Sequence, residues 1–267
     1  MNYYVKEPAV EMRESACRDS KVVSQALFSE EVVVRETKGD WTYVSTPDGY
    51  FGWVLTNALL HRDTPYEGQA EVVQLKAHLY HVPDTEWGPI QSLPMGAKIN
   101  VLDEQDPRWI RIALVDDSEC YVQKGDVGQL ARLQKEDLPR FSRRFLGLPY
   151  TWGGRSSFGY DCSGFVQMLY KQIGINLERD ARQQINDPRL MPVDLSLLEA
   201  GDLIFFGKSA EKIGHVGMSL GGEEFIHTSV RENMPWVRIS HLQDFEWSGN
   251  PDAFYPYRTA RKLGVKK

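Results

Sequence analysis

The sequence predicts an α+β protein in which two small β-barrels precede a domain of helices followed by antiparallel strands. Its 267 residues exceed the roughly 100 to 200 of a single domain, so two or three packing units are expected. The first half repeats itself: Trp41-Thr42-Tyr43-Val44, running through Asp48-Gly49 to Gly52-Trp53-Val54, matches Trp109-Ile110-Arg111-Ile112 running through Asp116-Asp117 to Cys120-Tyr121-Val122 at a constant offset of 68. After Leu130 the apolar spacing changes from alternation to a helical stripe. Hydrophobic residues make 42% and charged residues 25% of the chain, the usage of a folded globular protein. The formal charge of −6 leaves no basic surplus for phosphates or anionic lipid, so no nucleic-acid partner is expected.

In order along the chain, each copy of the repeat holds short alternating or β-branched runs. These are Val32-Val33-Val34, Thr42 to Ser45 and Gly52 to Leu55, then Lys98 to Leu102, Trp109 to Leu114 and Cys120 to Gln123. Turn residues such as Pro47-Asp48-Gly49 separate them. The linker Arg62 to Gln69 divides the copies, giving expected domains at 1–62, 67–131 and 132–267. In the third domain, Leu138, Phe141, Phe145 and Leu146 predict a helix within Leu133 to Leu146, stopped by Gly147-Leu148-Pro149. A loop rich in Gly and aromatics, Tyr150 to Tyr160, leads to a second helix. There Phe165, Val166, Leu169, Tyr170 and Ile173 form the apolar stripe, Asp161 caps the start and Gly174 ends it. A short helix around Arg179 to Asn186 precedes strand-like runs at Asp202 to Gly207, His215 to Leu220, Glu224 to His227, Val237 to Ser240 and Ala253 to Arg258.

The chemistry concentrates in this domain. Cys162 sits in the first helical turn, where unpaired N–H groups favour a thiolate. A nucleophile needs a base and a group to orient it. His215 and His227 lie on neighbouring runs joined by Gly221-Gly222, so a hairpin brings them together. Cys17 and Cys120 read as ordinary thiols, and three cysteines without a CxxC suggest neither a disulfide framework nor a zinc site. His78 and His81 fall on opposite faces of a strand and lack further ligands, so no metal and no cofactor are expected. No apolar run reaches the roughly 18 residues of a membrane helix, and Lys6 and Glu7 interrupt the N-terminus, so neither a membrane segment nor a signal is visible. A cytoplasmic location is expected, with a periplasmic or secreted one as the alternative if a leader has been removed. No obligate protein partner is indicated.

Two resemblances sharpen these expectations. Trp41-x-x-Val44 followed by Asp48-Gly49-Tyr50-x-Gly52-Trp53-Val54 resembles bacterial SH3-like domains, the second copy more weakly, with Ser118, Glu119 and Tyr121 at the places of Tyr50, Phe51 and Trp53. Tyr150-Thr151-Trp152-Gly153-Gly154, Asp161-Cys162-Ser163-Gly164-Phe165-Val166, Gly201 to Phe206, Gly214-His215-Val216-Gly217 and Ile226-His227-Thr228 resemble, in order and spacing, the NlpC-type cell-wall cysteine peptidases. That resemblance implies a papain-like fold and hydrolysis of the γ-D-glutamyl to diamino-acid bond of peptidoglycan stem peptides. It makes Cys162 the nucleophile, His215 the base and acid, His227 the orienting residue and Tyr160 an aid to the oxyanion. Two SH3-like domains ahead of the peptidase resemble the subgroup acting on peptides with a free N-terminal L-alanine. By that likeness Tyr50 closes one end of the groove, and Asp161 and Asp180 read the amine, joined by Glu14. Trp152 and Ser163 supply a wall and a hydrogen-bonding group. Arg179-Asp180-Ala181 fits the subgroup's R-D-S/A pattern, although Glu178 stands where many members have proline. The alternatives are a secreted hydrolase of intact wall using the barrels as wall-binding modules, and a non-catalytic binder of peptidoglycan fragments.

Overall fold

A computed structural model describes residues 2–264; Met1 and 265–267, the outer ends of the expected first and third domains, lie outside the described residues. The chain forms two compact units, one of residues up to 131 together with 152–158, the other of 132–151 with 159–267. Assigning 152–158 to the first unit departs from the expected boundary, which keeps that stretch with the peptidase domain.

In the first unit the strands are β1 (Asn2–Val5), β2 (Ala9–Arg13), β3 (Val22–Leu27), β4 (Glu31–Lys38), β5 (Trp41–Ser45), β6 (Phe51–Leu55) and β7 (Leu59–Arg62), arranged β3-β2-β6-β5-β4-β1-β7. Then come β8 (Ala70–Val72), β9 (Lys76–Tyr80), β10 (Gln91–Pro94), β11 (Lys98–Asp103), β12 (Trp109–Ala113), β13 (Glu119–Gln123) and β14 (Val127–Gly128), arranged β10-β9-β13-β12-β11-β8-β14. The second order is the first repeated strand for strand. Register repeats too, Trp41 pairing Leu55 as Trp109 pairs Gln123. Alternation places Thr42 and Val44 of β5, and Ile110 and Ile112 of β12, on the inner faces.

Val5, Met12, Ala26, Val32, Val44 and Val54 fill the first barrel. The second core also takes in Tyr4 and Phe28 from the first copy, and the supposed linker is part of it. Tyr66 is buried, and its backbone N–H donates to the Tyr4 hydroxyl at 3.0 Å. The stretch 152–158 is fastened to these strands. Within it β15 (Arg155–Ser156) presents the Arg155 guanidinium to Glu30 at 3.1 Å and Asp48 at 3.2 Å. Ser157 Oγ accepts from the Met95 N–H at 2.9 Å. Gly153 has φ +76°, and a Cβ there would stand 2.9 Å from Val22 Cγ1, so only glycine fits comfortably.

The second unit starts with a broken helical stretch. The expected helix over Leu133 to Leu146 is reduced to α1 (Leu138–Ser142) between two 3-10 turns, because Pro139 is tolerated only in a first turn. After the short strand β16 (Gly159–Tyr160) come α2 (Cys162–Gln172), α3 (Ala181–Gln184), β17 (Leu190–Val193), β18 (Leu203–Gly207), β19 (Ile213–Gly221), β20 (Glu224–Ser229), β21 (Trp236–His241) and β22 (Tyr257–Leu263). The sheet order is β17-β22-β18-β19-β20-β21, and all pairings are antiparallel. Two elements differ from expectation. The last strand begins at Tyr257, past Pro256, rather than at Ala253, and β17 was unforeseen because its edge position is what accommodates Pro192.

Candidate active site

The site is assembled on the first turn of α2. Asp161 is its N-cap, with an extended backbone and Oδ1 accepting from the Gly164 N–H at 2.8 Å. Cys162 therefore occupies the first helical position, where its own N–H has no acceptor within the helix. Arg179, almost fully buried, donates to Asp161 Oδ2 at 2.6 Å and Oδ1 at 3.0 Å, and to Ser163 Oγ at 3.0 Å. Gln184 of α3 donates through Nε2 to the Ser163 carbonyl at 3.0 Å. The turn carrying the thiol is thus held by a forked ion pair and a side-chain amide.

The sheet supplies the imidazoles. β19 and β20 form a hairpin through Gly221 and Gly222, whose φ values of +94° and +61° suit glycine, and Met218 pairs with Ile226. His215 Nε2 lies 2.8 Å from His227 Nδ1, and His227 Nε2 lies 2.9 Å from Ser240 Oγ. A base must offer an unprotonated nitrogen to the thiol. With Nε2 of His215 committed to His227, that nitrogen is Nδ1. The chain that leaves it bare runs His215 Nε2–H to His227 Nδ1, and His227 Nε2–H to Ser240 Oγ. Trp247, fully buried, makes a T-shaped contact with His227 at 4.6 Å between centroids, and Tyr255 stacks on His215 at 5.7 Å.

Burial dominates the electrostatics. It pushes the Cys162 thiol up to about 12, the Asp161 carboxylate adding to the effect, while the Val216 N–H, the Arg179 guanidinium and the Ser163 N–H act in the opposite direction. His215 is pushed down to about 3, by burial first and then by the Arg238 and Arg231 charges. His227 falls well below its ordinary value for want of solvent and from the charges of His215 and Arg238. The help that the sequence reading expects from the helix end is present in the Ser163 N–H, but desolvation outweighs it. Both shifts favour the neutral thiol and the neutral imidazole over the ion pair.

A thiol on a helix start, reached by the Val216 N–H next to His215 on an antiparallel sheet, is the arrangement of a cysteine peptidase. Residues 147–250 match the model of the NlpC/P60 family, and residues 12–59 match that of the bacterial dipeptidyl-peptidase Sh3 domain. The chain is 33% identical to the gamma-D-glutamyl-L-lysine dipeptidyl-peptidase of Bacillus subtilis over 79% of its own length and 74% of that protein's. Its identity to the Bacillus cereus enzyme of the same name is 34%, over 78% and 68%. The chain belongs to the NlpC/P60 family. An NlpC/P60 family structure from Bacillus cereus covers 98% of this chain and 99% of its own, with a TM-score of 0.80 and 26% identity. An NlpC/P60 endopeptidase from Photobacterium damselae, at 15% identity and TM-score 0.69, shares the fold alone.

The chain is therefore a cysteine peptidase of the NlpC/P60 family with an SH3-type module, and its second unit brings Cys162, Asp161, Ser163, His215, His227, Tyr160 and Asp180 together in one body. Asp161 and Ser163 are buried and engaged by Arg179. Asp180 caps α3 and pairs with the exposed Arg182 at 2.9 Å. The Tyr160 ring is buried against Phe145 and Phe165. Tyr50, Glu14 and Trp152 belong to the other unit. Tyr50 follows the turn at Gly49, Glu14 is exposed just after β2, and the Trp152 Nε1–H donates to the Val22 carbonyl at 2.8 Å. Sequence reasoning gave no role to Ser240, Gln184, Trp247 or Tyr255. Among the described residues no His, Cys, Asp or Glu cluster could hold a metal ion, and no helix is long and apolar enough to cross a membrane.

Proposed function

We propose that this peptidase hydrolyses the γ-D-glutamyl to diamino-acid bond, lysyl or diaminopimelyl, in peptidoglycan fragments that carry a free N-terminal L-alanine, acting in the cytoplasm. The observation that carries the reading is the likeness to two gamma-D-glutamyl-L-lysine dipeptidyl-peptidases over more than three quarters of the chain, beside the match of residues 12–59 to the bacterial dipeptidyl-peptidase Sh3 domain. In the reaction His215 Nδ1 takes the Cys162 proton as sulfur adds to the γ-carbonyl carbon. The Cys162 N–H and the Tyr160 phenol receive the oxyanion. Collapse breaks the C–N bond, the proton passes from His215 to the departing α-amine of the diamino acid, and a thioester to the γ-glutamyl carbonyl remains. Water then gives its proton to His215 and its hydroxide to the thioester, and the thiol is released reprotonated. Asp180 is the carboxylate for the substrate ammonium, because the Asp161 charge is already matched by Arg179. Ser163 adds a substrate contact by family likeness. The test is product analysis on L-Ala-γ-D-Glu-L-Lys and its diaminopimelate counterpart. Release of L-Ala-γ-D-Glu and the free diamino acid is expected, and cleavage at any other bond refutes the reading.

A further inference from the structure

We infer that Ser240 is a positioning residue that fixes the tautomer of His227 and, through it, the nitrogen that His215 turns to the thiol. The inference rests on the reading of Cys162 and His215 as nucleophile and base. It begins with register: on the β20–β21 ladder Phe225 pairs with Ser240 and His227 with Arg238, so Ser240 is the diagonal same-face neighbour of His227. Its hydroxyl stands 2.9 Å from His227 Nε2, and both residues are buried. In a neutral imidazole one nitrogen donates and the other accepts. A serine hydroxyl can accept from Nε2–H or donate to a bare Nε2; where Ser240 Oγ accepts, Nδ1 of His227 is left as the acceptor. That acceptor faces His215 Nε2 at 2.8 Å, which must then carry its own proton, so His215 Nδ1 is left bare.

Without the hydroxyl, Nε2 of His227 loses its partner in either tautomer, so the preference for Nε2–H is gone and the opposite tautomer becomes populated. That tautomer donates from Nδ1 to His215 Nε2 and moves the His215 proton to Nδ1. A protonated Nδ1 cannot accept from the thiol. The neighbouring Trp247 carries only an N–H, itself given to Glu232 Oε2 at 3.1 Å, so it supplies no nitrogen or oxygen acceptor.

Ser240→Ala should lower kcat by about tenfold or more, with KM held within about twofold, since a wrong tautomer affects the proton transfer and not substrate binding. Ser240→Thr, which restores a hydroxyl, should recover most of the loss. In a His227→Ala background Ser240→Ala should cost nothing further, whereas a purely structural serine would cost the same in both. Unchanged kcat in Ser240→Ala, or an undiminished loss in the His227→Ala background, would overturn the inference. Nitrogen-15 NMR of the unmodified full chain reads the tautomer directly, with no substrate and no variant. His227 protonated on Nε2 is expected, and protonation on Nδ1 refutes the role even if the substrate assignment stands. A parent enzyme inactive on the γ-D-glutamyl peptides would instead tell against the proposed function alone.

Discussion

At the scale of single residues the chemistry turns on how dry the Cys162–His215 pair is. Attack needs a thiolate, so Cys162→Ala should abolish turnover with the fold intact, and an active variant would remove the mechanism. His215→Ala should lose about 10² to 10⁴ in kcat, the usual contribution of a placed base. Burial raises the thiol and lowers the imidazole, and both directions disfavour a resting ion pair. The rate of iodoacetamide alkylation at Cys162 should therefore climb with pH well past neutrality. A plateau between pH 6 and 7 would mean that a thiolate–imidazolium pair survives the desolvation. This is where sequence reasoning was least reliable. The position of Cys162 at a helix start was legible in Asp161-Cys162-Ser163-Gly164, whereas the burial that overrides the helix end arises from β19 and residues distant in sequence.

Among the elements, α2 was legible because its stripe of Phe165, Val166, Leu169 and Tyr170 and both its ends are local signals. Ser240 and Gln184 were not, since a polar residue on a strand or short helix shows its partner only once register is fixed. The first turn of α2 makes a prediction of its own. Arg179 and the Asp161 side chain are 1% and 12% exposed, and removing one member of such a pair leaves an unmatched buried charge. Asp161→Ala should cost about 3–5 kcal/mol in urea unfolding of the second unit, far above the ~1 kcal/mol of a lost cap alone. A loss no larger than a cap would make the ion pair inconsequential.

The β19–β20 hairpin adds a pH dependence. His215 and His227 stay neutral in the fold, while in the unfolded chain they protonate near pH 6.5. Below that pH the unfolded state binds more protons, so stability is intact above about 6.5 and falls as acid is added, by about 1.4 kcal/mol per pH unit for each histidine. His227→Gln should therefore flatten the loss between pH 6.5 and 5 by roughly that amount. An unchanged slope would mean that His227 is charged in the native protein.

For the molecule as a whole, the 68-residue repeat in the sequence became two sheets of identical strand order, because the same turn spacing and alternation recur in both copies. The allegiance of 152–158 to the first unit could not be read, since it depends on Arg155 finding Glu30 and Asp48 across more than 100 residues. The largest-scale prediction concerns what the enzyme accepts. A free ammonium entering a closed pocket loses hydration that a carboxylate must replace. Asp161 is held by the buried Arg179, whereas Asp180 pairs with Arg182, whose side chain is 73% exposed. Asp180→Ala should thus lower kcat/KM on L-Ala-γ-D-Glu-L-Lys by about 2–5 kcal/mol. It should do much less to residual turnover of the N-acetylated peptide, which has no ammonium to lose. Equal losses on both peptides would assign Asp180 only to capping α3. Polymeric peptidoglycan, with its stem alanine bound to muramic acid through an amide, is the decisive substrate. The unmodified enzyme should cleave it far more slowly than the free tripeptide, and equal rates would replace fragment processing with hydrolysis of the intact wall.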